Sequence, residues 1–181
     1  MPRLQLALVP VGRLALLGGA VFLVAGPWFL DLLSLQVLTE FLSMLVLAMM
    51  WNLLAGYADI VTVGQHGFVG VGAYAFFGFA ALAGLNPYLA IPLGGLVALL
   101  VAVPVMAIIF RLRAAYLSVG SWVVAEVLML AAGKLSAFGG GSGRSMTVSS
   151  VRLFGQTAAE RYDNVYWIAL AVAALAFVST F

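Results

Sequence analysis

Asn52-Leu-Leu-Ala-Gly-Tyr-Ala-Asp-Ile-Val-Thr-Val-Gly-Gln-His-Gly-Phe-Val-Gly-Val-Gly-Ala-Tyr74 sets five glycines, an Asp, a Gln and the chain's only His inside an otherwise apolar sequence. Lipid offers no partner to a polar group, and irregular backbone at membrane depth survives only where protein or a water-filled cavity surrounds it. The segment is therefore expected to be buried in protein at membrane depth, beside something that must pass.

The rest of the chain establishes the membrane. Hydrophobic residues make up 65% of it and charged residues 8%, against about 25% charged in a soluble domain. Such a chain cannot cover a water-facing surface. Cys is absent, which removes disulfides and thiolate metal sites. A formal charge of +2, spread without a basic cluster, gives no footprint for nucleic acid.

A spanning helix needs about 20 mostly apolar residues. Residues 14–33, 37–54, 88–110, 116–132 and 164–181 meet this. The first follows Arg3 and Arg13 like a signal peptide, but cleavage after Gly26 would leave Pro27 behind the cut, so it is read as a helix that stays. Residues 60–84 are the ambiguous member, expected as a tilted helix with a loose start or a re-entrant segment leading into a helix. The expected fold is an all-α, polytopic membrane helix bundle of about six segments. It forms one domain over residues 1–181, with 133–163 as a polar inter-helix segment. Trp28, Trp51, Tyr57, Tyr88, Tyr116, Tyr162, Tyr166 and Trp167 stand at the ends of the apolar runs, where an interfacial belt belongs. Short loops report orientation best. Arg3, Arg13, Arg111 and Arg113 share one side, which favours a cytoplasmic N-terminus against Lys134, Arg144, Arg152 and Arg161 in the longer opposite segment.

Gly64, Gly67, Gly70 and Ala73 recur at intervals of three, with Gly56 and Gly72 nearby. Small residues let helix backbones approach closely in lipid, so these six form a candidate packing motif. Its bland reading is packing alone; its functional one adds that Gln65 and His66 face a polar passage. His66 has no second His and no Cys to share a metal with, so no metal site is expected. A hydrogen bond to a neighbouring helix suits it better. Glu126 lies mid-run, where an acid at a helix centre costs about 2.5–3.5 kcal/mol on insertion scales and faces the bundle interior or a cavity. Ser118, Gly120 and Ser121 stand one or two turns away. Glu40 is expected at the interface. Asn52 is a candidate cap or bridge at the end of its helix, and Pro104 should kink the 88–110 run. Glu126, Gln65, His66, Ser121 and Asn52 are thus the candidate pathway residues. No hydrolase triad motif, H-E-x-x-H pair or G-x-x-x-x-G-K-[ST] loop occurs, so neither catalysis, ATP hydrolysis nor a cofactor is expected of this chain. Phe138-Gly-Gly-Gly-Ser-Gly-Arg144 reads as a flexible loop.

Three stretches in order carry a resemblance. They are Asn52 to Tyr57 with Val63-Gly-Gln-His-Gly-Phe68 and Gly70-Val-Gly-Ala-Tyr74, then Leu112-Arg-Ala-Ala-Tyr116-Leu-Ser-Val with Ala125-Glu126 and Gly139-Gly-Gly-Ser-Gly143, then Leu153-Phe-Gly155 with Tyr162 and Trp167. Over residues 37–170 the chain resembles the permease subunits of branched-chain amino acid ABC importers of the LIV type, the M-like rather than the H-like subunit. The resemblance implies a multi-pass protein of the cell inner (plasma) membrane. It also implies a second permease subunit, two ATP-binding cassette ATPase subunits and an extracytoplasmic substrate-binding protein that delivers leucine, isoleucine or valine. Relatives of that family move urea, amides or other amino acids, and a non-transporting scaffold or assembly protein is the alternative of another class. Asp59 stands where the family more often has a small residue. Members are also longer, so the chain is expected to represent an N-terminal portion that lacks the ATPase-contacting part.

Overall fold

The computed structural model describes residues 17–112, 115–138, 145–146 and 148–180. Arg3, Arg13, Arg113, Arg144 and the glycines at 139–141 and 143 lie outside the described residues. Among the described residues all regular structure is helical: α1 (Leu17–Trp28), α2 (Leu32–Tyr57), α3 (Gln65–Phe77), α4 (Pro87–Ile109), α5 (Ala115–Gly133), α6 (Val148–Arg152) and α7 (Ala158–Thr180). Four of these, α2, α4, α5 and α7, are long and apolar enough to cross a membrane. At 1.5 Å per residue they are about 28–39 Å long, against a hydrocarbon core of about 30 Å. The remaining two expected segments are shorter helices. Residues 14–33 hold α1, and 60–84 hold a lead-in without regular structure, then α3, then a π-helical turn over Gly78–Leu82.

The helix ends differ from expectation where polar residues open a helix. α7 begins six residues before Asn164, because Thr157 and Glu160 form a capping box. The Glu160 amide donates to Thr157 Oγ1 (3.2 Å), and the Thr157 amide donates back to Glu160 Oε2 (3.3 Å). Two orphan amides are thereby satisfied reciprocally. α2 starts at Leu32 rather than 37, which moves Glu40 a turn further into the helix. It is exposed there and accepts from Gln36 Nε2 at 3.4 Å. At the far end α2 runs on to Tyr57, so Asn52 does not cap it. The Leu54 carbonyl is instead closed by the amides of Ala58 (3.2 Å) and Ile60 (3.0 Å). α4 opens on Asn86, whose Oδ1 accepts from the Tyr88 amide (3.0 Å), with Pro87 in the first turn where its missing N–H is harmless. The helix continues through Pro92 and Pro104.

The helices pack as two groups, α2 with α7 and α3 with α4 and α5. In the first, Leu35 and Leu42 meet Tyr166 and Ala173 in one buried cluster. Both pairs are seven residues apart, the spacing that returns a side chain to the same face after two turns. The pairing also makes α2 and α7 parallel, and Tyr57 Oη donates to the Thr180 carbonyl (3.4 Å) at their common C-terminal end. α1 is tied to this pair where Tyr166 Oη donates to the Leu23 carbonyl (2.5 Å) and where the Trp28 and Trp167 rings meet edge-on at 6.1 Å. Elsewhere the long helices present apolar side chains outward, among them Leu33, Met44, Leu100, Ile108, Leu130 and Val178. In water such surface would drive association; in lipid it is at rest.

In the second group α3 and α4 cross at glycine. A Cβ on Gly94 would stand 2.8 Å from the Gly72 carbonyl oxygen and 3.2 Å from the Phe76 amide nitrogen. Below that crossing the π-helical turn is held from outside. Ser150 Oγ donates to the Ala80 carbonyl (3.1 Å), and the Phe138 ring lies 3.5 Å from where a Gly78 Cβ would stand, edge-on to Tyr74. A π-turn displaces the regular backbone ladder, and a neighbouring hydroxyl is one way to re-satisfy it.

Candidate functional site

Residues 58–64 are the one non-helical stretch between α2 and α3, and they begin with an unusual backbone. Asp59 has φ 54°, in the left-handed region. Glycine enters that region without steric cost, and Asp is among the few other residues that tolerate it. The departure of Asp59 from the smaller residue that the resemblance expects thus falls on the turn itself. From there the chain runs without regular structure along the first turns of α5, and side chains from two helices satisfy its backbone. Ser118 Oγ donates to the Val61 carbonyl (2.6 Å), and the Val63 amide donates to Ser121 Oγ (3.1 Å), which in turn donates to the Ser118 carbonyl (2.8 Å). From α2, Trp51 Nε1 donates to the Thr62 carbonyl (2.9 Å). His66 Nδ1 lies 3.1 Å from the Val63 carbonyl oxygen, within hydrogen-bond reach in the tautomer or charge state that protonates it.

The following helix then presses onto α5 through its glycines. A Cβ on Gly64 would overlap the Ser121 carbonyl, and one on Gly67 would stand 2.7 Å from Ala125 Cα. Gly64 and Gly67 are both buried, and Ser121 is 5% exposed. Ser118, Ser121, Ala125 and Leu128 therefore form the α5 face toward α3. Glu126 follows Ala125, about 100° further round the helix. It is half-buried and has no hydrogen-bond partner among the described residues.

Of the residues singled out in the sequence, Gly64, Gly67, Ser121 and His66 are gathered at this crossing. Gln65 is the first, half-buried residue of α3. Glu126 borders the crossing without entering it. Asn52 is exposed on α2, and its Oδ1 lies 3.6 Å from where a Gly56 Cβ would stand, on the same helix. The glycines do not act as one ridge. Gly64 and Gly67 meet α5, Gly72 meets α4, a Cβ on Gly70 would find no neighbour within 4 Å among the described residues, and Ala73 is exposed. In the sequence Ser118 stands out only as a neighbour of Glu126, and Trp51 only as an interface anchor. The signal that points further is the i, i+3 pairing of Ser118 and Ser121, which places two hydroxyls on one face of an apolar helix.

The site holds hydroxyls, an imidazole and amide groups engaged with backbone. Among the described residues no group of His, Asp and Glu is placed to hold a metal ion. What the arrangement supplies is a closely packed joint between helices, with a carboxylate at its border. No curated protein and no solved structure matches the chain. The family described as "Branched-chain amino acid transport system / permease component" does, over residues 33–181, a span that runs from the second residue of α2 through α7 and includes the lead-in and the glycine crossing. The chain belongs to this family of membrane transport permeases.

Proposed function

We propose that this permease forms, with a second permease subunit, the membrane passage of an ATP-driven importer for leucine, isoleucine and valine. Two cytoplasmic ATPase subunits would drive it and an extracytoplasmic binding protein would feed it. The observation that carries this reading is the family match across residues 33–181, joined to a glycine-packed crossing in that same span, where Gly64 and Gly67 are buried against α5. A branched-chain side chain asks little polar complementarity of a passage, which suits the few polar side chains at the crossing.

Six membrane segments remain the preferred count, and the direction of the helices supports it. α2 and α7 are parallel, so the chain between them must cross the membrane an odd number of times. α4 and α5 supply two crossings, and α3 with its π-turn supplies the third. The connection from α5 to α7 stays at one end, since Phe138, Ser150 and Phe154 reach Tyr74, Ala80 and Tyr88 respectively. The end that carries residues 58–64 and Arg111 is assigned to the cytoplasm, and the α5–α7 connection to the outside.

Radiolabelled leucine uptake into proteoliposomes containing the complete complex, with valine, urea and amides as competitors, tests the proposal. ATP-dependent accumulation blocked by valine and isoleucine is expected. Accumulation blocked by urea or amides alone would move the substrate class, and an assembled complex that moves none of them would leave a scaffold role.

A further inference from the structure

The two helix groups are joined through residues 60–64. On one side Trp51 of α2 holds the Thr62 carbonyl; on the other, Ser118 and Ser121 of α5 hold the Val61 carbonyl and the Val63 amide. These three ties are single side-chain hydrogen bonds to backbone, and on the α2 side the Ile60 amide also donates to the Leu54 carbonyl (3.0 Å). Each of the three ties can be exchanged without unwinding a helix, unlike the ladder bonds on either side. The segment is bounded by the left-handed turn at Asp59 and by Gly64, the residue before α3. Beyond it, Gly64 and Gly67 bring the α3 backbone directly against Ser121 and Ala125 of α5.

We propose that residues 60–64 are a movable strap between the helix groups, latched on α5 by Ser118 and Ser121, and that this latch opens in each transport cycle. The inference rests on the reading of the chain as a transporting permease. Rocking of one helix group against another is the general means of alternating access, and a strap fastened to both groups must release one of them when they separate. The α5 side is the one that releases. Ser121 Oγ already has an alternative partner in the Ser118 carbonyl, which keeps its hydroxyl satisfied after Val63 leaves. Ser118 and Ser121 are thus positioning residues: they fix where the strap sits in one access state and touch no solute.

The chain contains no Cys, so an engineered pair can be read cleanly. Val61→Cys with Ser118→Cys, assembled with its partner subunits in proteoliposomes, is expected to form a disulfide on oxidation. That bond holds the strap shut while leaving Ser121 in place. Leucine uptake should fall by about tenfold or more, as expected when a gating step is blocked, and recover with reductant; each single variant should be insensitive to oxidant. Full cross-linking with uptake unchanged would show that the strap does not open. Where the two sulfurs do not meet in disulfide geometry, the exchange measurement below decides. A second measurement needs no solute: hydrogen exchange at the Val63 amide should accelerate when ATP is added to the complex. Equal exchange with and without nucleotide would overturn the proposal. Uptake by the unmodified complex reports separately on the transport reading itself.

Discussion

A methyl group on Gly67 would stand 2.7 Å from Ala125 Cα and 2.8 Å from Ala125 Cβ, so α3 and α5 touch backbone to backbone at that level. The contact is with backbone and a rigid Cβ, which cannot swing aside as a long side chain can. Gly67→Leu is therefore expected to push the helices apart, at about 1–3 kcal/mol for overpacking, and to abolish uptake by the complex. Gly70→Leu is the matched control, because among the described residues no other element lies within 4 Å of its Cβ position. Thermal unfolding of the two variants in the same detergent should separate them by several degrees; equal melting would mean that the crossing is not tight.

The Thr157–Glu160 box gives a second expectation at the start of α7. Thr157→Ala removes the hydroxyl that accepts the Glu160 amide, and loss of such a cap costs about 1 kcal/mol. The first turn of α7 should fray while the membrane-embedded remainder stays protected. Hydrogen exchange resolved to peptides over 156–164 and 168–180 reads this directly. Uniform loss of protection along the whole helix would contradict it.

Asp31 provides a pH expectation outside the membrane-spanning helices. Ser34 Oγ donates to its Oδ1 at 2.5 Å, and this bond is the largest cause holding the carboxyl below its ordinary value of 3.8. A lowered carboxylate contributes stability that is fully present above the unfolded value and is lost as pH falls through the folded one. The contribution is thus intact at neutral pH and fades only below the usual aspartate range. Ser34→Ala should raise the Asp31 midpoint toward 3.8 in a carbon-detected NMR titration. Asp31 is exposed, so the loss of this contribution should lower the melting temperature at neutral pH only slightly. An unmoved midpoint would remove the hydrogen bond as the cause.

How much of this was legible follows from what hydropathy measures. The long helices α2, α4 and α5 were visible as apolar runs, because lipid-facing residues are apolar whatever they pack against. The start of α7 was not, since Glu160, Arg161, Asp163 and Asn164 lower the local hydropathy while a capping box of only two residues starts the helix. Glycine was informative about close approach and silent about direction. A missing side chain does not say which neighbour fills its place, so Gly64, Gly67 and Gly72 fall in one candidate packing motif although they meet two different helices. The Gly78–Leu82 π-turn has no sequence signature either; its supports, Phe138 and Ser150, lie about sixty and seventy residues further along the chain.

Glu126 is the remaining test, and the sharpest for the passage. It sits near the middle of α5, half-buried, one residue beyond the contact of Ala125 with Gly67, and no partner among the described residues takes its carboxylate. An acid in that position faces a cavity or another subunit rather than acyl chains, because exposure to lipid costs several kcal/mol. Glu126→Gln keeps the shape and the hydrogen-bonding capacity and removes the charge. If the carboxylate lines the passage, the variant should insert and assemble as before, while leucine uptake falls. If Glu126 only packs against a partner subunit, Gln should preserve uptake, and Glu126→Leu should instead weaken assembly, seen as loss of the second permease subunit on purification. The two variants measured together therefore decide between a pathway group and a buried structural one, and unchanged behaviour in both would place Glu126 at neither.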